Sequence, residues 1–310
     1  MERAATRLAV TLGDPRGIGP EVAAAALDAR IDGAELVTVG PTGTGIEPDV
    51  AIGAWVGDDA AAAGRLAGAA IEAAVGLALD GDVAGIVTAP IEKAALSAAG
   101  YAFPGHTEML QSLTDADEVA MLMAAEQTAL GGPLRVVLAT IHIPLAAVPA
   151  ALTADRLAAQ ARLTDRALRE LWGIESPRLA LCALNPHASD SGLFGDEEAR
   201  IMAPAVRALV ESGLEVRGPI PADTVFVRAI RGEFDAVIAP YHDVGMAAFK
   251  TASFGSGVNV TLGLPFVRTS PDHGTALDIA GRGLADPASM IEAVRTAARL
   301  CRGPEPVPSE

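Results

Sequence analysis

Arg135-Val-Val-Leu-Ala-Thr-Ile-His142 is a short apolar run that opens into a polar loop at a histidine, and the chain uses the arrangement twice more. It recurs in Arg178-Leu-Ala-Leu-Cys-Ala-Leu-Asn-Pro-His187 and in Asp235-Ala-Val-Ile-Ala-Pro-Tyr-His242. Runs of this length, rich in β-branched residues and bounded by turn formers, predict β-strands. Working outward, similar runs lie at Leu8–Leu12, Leu36–Val39, Gly85–Thr88 and Val258–Leu262. Between most of them stand segments with helical spacing: Glu21–Ala29, Ala60–Leu79, Thr153–Leu171 and Glu197–Val210. Asp286-Pro287 punctuates the start of another helix, Ala288–Leu300. The alternation predicts an α/β fold with a largely parallel sheet.

The chain has 310 residues, half of them hydrophobic and a fifth charged. That length suits two domains with sizeable cores. A net charge of −16 disfavours nucleic-acid and membrane-surface partners and requires locally placed cations for any anionic substrate. The apolar stretch Leu8–Leu12 is too brief for a signal-peptide core, and Ala60–Leu79, interrupted by Arg65 and Glu72, reads as a buried helix rather than a membrane span. Cys182 and Cys301 are the only cysteines, which makes a reducing cytoplasm the expected setting. Gly303–Glu310 reads as a Pro-rich tail.

In α/β sheets, ligands gather at the carboxyl ends of strands. Three neutral imidazoles converging there, from His142, His187 and His242, would hold a borderline divalent cation and leave positions open for substrate. The plainer alternative is that each histidine merely bonds a nearby carbonyl. His106 and His273 also sit in polar loops. Lys250, Asn259 and Arg268 are residue types suited to a phosphate, and Lys250 and Arg268 flank the strand Val258–Leu262. No Gly-x-Gly-x-x-Gly follows a predicted strand and no Walker sequence occurs. Gly13-Asp-Pro-Arg-Gly-Ile-Gly19 reads as a tight strand-to-helix turn.

Together these motifs resemble the 4-hydroxythreonine-4-phosphate dehydrogenase family of the vitamin B6 pathway. The resemblance runs through Gly13-Asp-Pro-Arg-Gly-Ile-Gly-Pro-Glu21, Val87-Thr-Ala-Pro90 with Lys93, Gly105-His-Thr-Glu108, Asn185-Pro-His-Ala188 and Pro221-Ala-Asp-Thr224. It continues through Tyr241-His-Asp243, Gly257-Val-Asn-Val-Thr-Leu-Gly-Leu-Pro265 and Arg268-Thr-Ser-Pro-Asp-His-Gly-Thr-Ala276. The chain departs from the family pattern at Val244–Phe249, where a Gln-containing stretch is expected, and in shortened loops around Gly40–Asp58.

The resemblance implies a fold like that of the isocitrate and isopropylmalate dehydrogenases: two α/β domains, 1–118 with 242–310 and 119–241, with the active site in the cleft between them. It implies one divalent metal per site (Zn, Mg, Mn or Co) on His142, His187 and His242, and substrate contacts from His106, Thr107, Lys250, Asn259 and Arg268. It places NAD or NADP against Asp272, His273, Gly274, Thr275 and Asp278. The implied reaction oxidises 4-phosphooxy-L-threonine to 2-amino-3-oxo-4-phosphooxybutanoate, which decarboxylates to 3-amino-2-oxopropyl phosphate. A homodimer with a shared site is implied, His142 and His187 from one subunit and His242 from the other. The rival readings are a dehydrogenase of phosphorylated threonate or erythronate and a non-redox acyl or phosphoryl transferase on a related fold.

Overall fold

The computed structural model describes residues 5–253 and 255–303; the Pro-rich tail beyond Gly303 lies outside them. In chain order the elements begin with β1 (Thr6–Thr11), α1 (Gly19–Asp28), β2 (Ala34–Thr42), β3 (Val50–Ala54), α2 (Ala60–Leu79), β4 (Gly85–Thr88), α3 (Lys93–Ala98) and α4 (His106–Leu113). There follow β5 (Ala120–Ala125), β6 (Leu134–Leu138), α5 (Val148–Ala151), α6 (Ala154–Trp172), β7 (Arg178–Cys182), α7 (Ala203–Glu211) and β8 (Glu215–Ile220). The chain continues with α8 (Ala222–Ile230), β9 (Ala236–Ala239), α9 (His242–Ser253), β10 (Val258–Leu262), β11 (Val267–Pro271) and α10 (Ala288–Arg302).

The chain forms two compact units, Met1–Val119 with Val258–Gly303, and Ala120–Gly257. The second crossing therefore falls after α9, not before His242 as expected. The reason is packing: Phe249 and Ala252 of α9 lie in one core with Val136, Leu138 and Val237, and Gly245 sits so close to Leu138 that an added Cβ would come within 2.6 Å of it. A helix following β9 buries its apolar face on the sheet β9 belongs to.

In the first unit the strands run β3-β2-β1-β4-β11-β10, all parallel except β10, which is antiparallel to β11. Its core joins Ala9, Val39 and Ile86 of the sheet to Ala70, Ile71, Ala74 and Val75 of α2 and to Leu96, Met109 and Leu110. Each fully buried Leu or Ile there contributes about 1.5–3 kcal/mol. The small residues of α2 allow close approach: a Cβ on Gly64 would meet the Ala95 carbonyl at 2.0 Å and one on Gly68 the Tyr101 ring at 2.2 Å. Its apolar length thus serves this core, as expected.

The second unit has the order β5-β6-β9-β7-β8, with β5 antiparallel to β6 and the rest parallel. Thr153 caps α6 through the Arg156 amide, and Gly173 ends that helix in left-handed backbone. The expected helix Glu197–Val210 differs from expectation at its start. Residues Glu198–Met202 form a wider π turn before α7, which turns the Glu198 carboxylate into the protein.

Candidate functional site

β6, β9 and β7 are adjacent and parallel, so the segments carrying His142, His242 and His187 leave one edge of the second unit's sheet. Thr140 donates its hydroxyl to the Pro240 carbonyl at 2.8 Å and clips the first two segments together. The His142 and His242 ring centroids are 5.2 Å apart. They border a cavity of about 280 Å³ with Thr140, Val148, Tyr241 and Asp243. An Asp243 carboxylate oxygen lies 2.7 Å from His242 Nδ1, which favours the proton there and leaves Nε2 free to hold a cation.

His187 leaves the neighbouring strand in a tight turn, Pro186–Asp190. Residues 187–191 all have left-handed backbone, with φ of 51°, 55°, 74°, 43° and 60°, and His142 has φ 51°. An L-residue in that region costs on the order of 1–2 kcal/mol, and such backbone concentrates at functional sites. Among the described residues no three His, Cys, Asp or Glu side chains converge as a metal-ligand group. Two of the expected ligands are therefore adjacent within the chain, a pair of imidazoles facing a cavity that suits a borderline divalent cation. His142 and His242 lie side by side within one chain because β6 and β9 are neighbours.

The first unit holds a separate polar cluster. Arg268 on β11 is 1% exposed; it donates to Thr261 Oγ1 at 2.9 Å and to Thr88 Oγ1, while its Nε is shielded from solvent with no partner. Register explains the grouping, since Thr261 stands opposite Arg268 and Asn259 opposite Ser270. No carboxylate pairs with Arg268 among the described residues, and burial pushes its pKa down to about 9. An unpaired buried cation is costly.

His106 opens α4, with Thr107 next and Gly105 offering no side-chain cap. The helix's first amides are thus left for a ligand. His106 Nε2 and Asn259 Oδ1 are shielded and unpartnered. Burial first, then the charges of Arg268 and Lys93, hold the His106 pKa well below the ordinary 6.5, so this imidazole is neutral at neutral pH. Below about pH 6.5 the unfolded chain binds this proton and the folded one resists it, so stability falls as pH falls and is flat above. Denaturation midpoints across that range should show a shallower acid decline in His106→Gln than in the parent chain; equal slopes would contradict this environment.

Lys250 is exposed on the last turn of α9 in the second unit. Of the expected cofactor loop, Thr275 is buried and its carbonyl accepts the Ile18 amide at 2.9 Å, while His273 Nε2 is shielded and unpartnered. Gly274 and Asp278 are exposed. Asp272 is tied to the start of α10, its amide donating to Ser289 Oγ and that hydroxyl to its carboxylate. The turn Gly13–Gly19 is more than a connection. The Asp14 amide donates to the Pro90 carbonyl, Asp14 pairs with Arg16 at 2.7 Å, and a Cβ on Gly17 would meet the Thr275 carbonyl at 2.8 Å. Thr88, Thr261 and Lys93 were not singled out as site residues, although each lies in a stretch that carries the family resemblance.

The family model "Pyridoxal phosphate biosynthetic protein PdxA" matches residues 12–297. A 4-hydroxythreonine-4-phosphate dehydrogenase of Paracoccus denitrificans is 47% identical, over 93% of this chain and 95% of that protein. A Bradyrhizobium diazoefficiens protein provisionally named a D-threonate 4-phosphate dehydrogenase is 42% identical, over 96% of this chain and 97% of that one. Among solved structures, a 4-hydroxythreonine-4-phosphate dehydrogenase from Klebsiella pneumoniae has a TM-score of 0.83 at 39% identity, covering 96% of this chain and 100% of that one. An isocitrate dehydrogenase from Methylococcus capsulatus, 16% identical with a TM-score of 0.51 over 95% of this chain and 88% of that one, shares the fold.

Proposed function

The chain belongs to the pyridoxal phosphate biosynthetic protein PdxA family, and we propose that it oxidises 4-phosphooxy-L-threonine at its 3-hydroxyl with NAD or NADP, giving the β-keto acid that decarboxylates to 3-amino-2-oxopropyl phosphate. The observation that carries the phosphate assignment is Arg268, a buried guanidinium with no carboxylate partner among the described residues and an idle Nε.

Arg268 takes the phosphate as a charge-assisted, bidentate partner, and Thr88 and Thr261 hold its guanidinium in plane. His106, Thr107 and the free amides at the start of α4 complete the anion contacts, with Lys250 of the second unit as a further cation. Neutral His106 accepts a hydrogen bond at Nε2 or takes up a proton as the anion arrives. Asn259 Oδ1 needs a donor, which the substrate's amino or hydroxyl group supplies. Binding energy from the remote phosphate thus orients the carbinol carbon. His142 and His187, with His242 of a second copy, would hold a divalent cation (Zn, Mg, Mn or Co), and Asp272, His273, Gly274, Thr275 and Asp278 the nicotinamide cofactor; when bound, the one supplies Lewis-acid charge at the hydroxyl and the other a hydride acceptor. Pairing of two chains is supported by the apolar residues exposed beside these histidines, Leu145 after His142 and Leu193 and Phe194 after His187. The cytoplasm suits the free thiols of Cys182 and Cys301, whose pKa values burial raises to about 12.

The test compares 4-phosphooxy-L-threonine with unphosphorylated 4-hydroxy-L-threonine. Loss of charge-assisted phosphate contacts should lower kcat/KM by about 30-fold or more. Equal values would remove the phosphate assignment. Phosphorylated D-threonate is the second reading, favoured by the Bradyrhizobium relative.

A further inference from the structure

We propose that Glu198 is the positioning residue for His187, a latch that ends β7 and holds the left-handed turn in register; this rests on the reading of His187 as a cation ligand. β7 stops at Cys182 and the Ala183 amide makes its last ladder bond, to the Ile220 carbonyl of β8 at 2.8 Å, so Leu184 and Asn185 are the first amides past the strand pairing. The Glu198 carboxylate meets them: Oε1 accepts the Leu184 amide at 2.9 Å and the Asn185 amide at 2.7 Å, and Oε2 accepts Asn185 Nδ2 at 2.9 Å. Glu197 Oε2 accepts the same Nδ2 at 2.8 Å. Glu198 is 4% exposed and has no cationic partner among the described residues. Three N–H donors give both of its buried oxygens a hydrogen-bond partner.

Two features show that the chain is arranged around this contact. The π turn Glu198–Met202 adds a residue to the helical turn just before α7, at the position from which the carboxylate faces inward. Gly195, with φ of 129°, leaves the space for it, since a Cβ there would lie 2.7 Å from both Asn185 Nδ2 and Glu197 Oε2. The latch is therefore fastened at Leu184 and Asn185, immediately before the five left-handed residues that begin with His187. Ser189 closes the loop from the other side by donating to the Gly195 carbonyl. Left-handed backbone in five successive L-residues does not hold itself; residues fixed at both ends of the turn hold it.

The test uses the full chain with Glu198→Ala, Glu198→Gln and His187→Ala. In metal-free protein, Glu198→Ala should lose hydrogen-exchange protection at the Leu184 and Asn185 amides. Titration with Zn²⁺ alone should show an affinity loss of about 10- to 100-fold, the effect of removing a ligand-orienting partner. In turnover, kcat should fall while KM for the phosphorylated substrate stays within about twofold, because the anion site is elsewhere. Glu198→Gln keeps an acceptor for both backbone amides and should recover most of the affinity, and it carries the test if the alanine variant does not fold. Unchanged Zn²⁺ affinity in folded Glu198→Ala, with affinity lost in His187→Ala, would overturn the latch and leave His187 a ligand. Unchanged affinity in His187→Ala would overturn the ligand reading, and the latch's role in cation binding with it.

Discussion

Replacing Arg268 by methionine lowers kcat/KM for the phosphorylated substrate by about 30-fold to several hundred-fold, the equivalent of roughly 2–4 kcal/mol of lost charge-assisted binding, and does not lower the melting temperature. The second half of that expectation is the diagnostic one. A buried arginine that served the fold would have a carboxylate, and its loss would leave an uncompensated charge. Arg268 has two threonine hydroxyls and an idle Nε instead. Its own burial is a cost to the ligand-free protein, so an apolar side chain of similar volume should leave stability unchanged or raise it. Thermal melts and steady-state kinetics on the same preparation check both halves. A variant with near-normal kinetics and reduced stability would make Arg268 a structural residue.

Mixing two inactive variants, His142→Ala and His242→Ala, restores up to half the activity of the parent dimer per heterodimer. If one chain contributes His142 and His187 and the other His242, one site of the mixed dimer carries both lesions and the other carries none. Mixing His142→Ala with His187→Ala gives the opposite outcome, because each site then lacks one imidazole whichever way the chains pair. Recovery in the second mixture and not in the first would place His142 and His242 on one chain and His187 on the other. Recovery in neither, despite demonstrated subunit exchange, would place all three ligands on one chain.

The strands that carry the three histidines were legible because each is a buried central strand, a continuous apolar run with no polar face to interrupt it. The strands that escaped notice have physical reasons to hide. β3 is a mostly exposed edge, β5 is Ala-Met-Leu-Met-Ala-Ala with helical propensities, β8 contains Arg, Gly and Pro, and β11 is interrupted by the polar run Arg268, Thr269 and Ser270. The placement of α9 was missed because the helix is defined by what Phe249 packs on, a fact of three dimensions. For the site, residue types pointed to Arg268 and His106, and burial supplied the argument by showing their polar atoms unpaired. Which two histidines are neighbours depends on the order β6-β9-β7, and chain order conceals it.

The central claim is that this chain transfers a hydride from a phosphorylated 3-hydroxy acid to a nicotinamide under divalent-metal control. Its most direct test follows the near-ultraviolet absorbance of reduced nicotinamide with 4-phosphooxy-L-threonine and, separately, with phosphorylated D-threonate, before and after chelation and metal restoration. The account predicts formation of NADH or NADPH with 4-phosphooxy-L-threonine as the better substrate, abolished by chelation and restored by Zn, Co, Mn or Mg to differing extents. No reduced nicotinamide with either compound, or full turnover in metal-free protein, would contradict it.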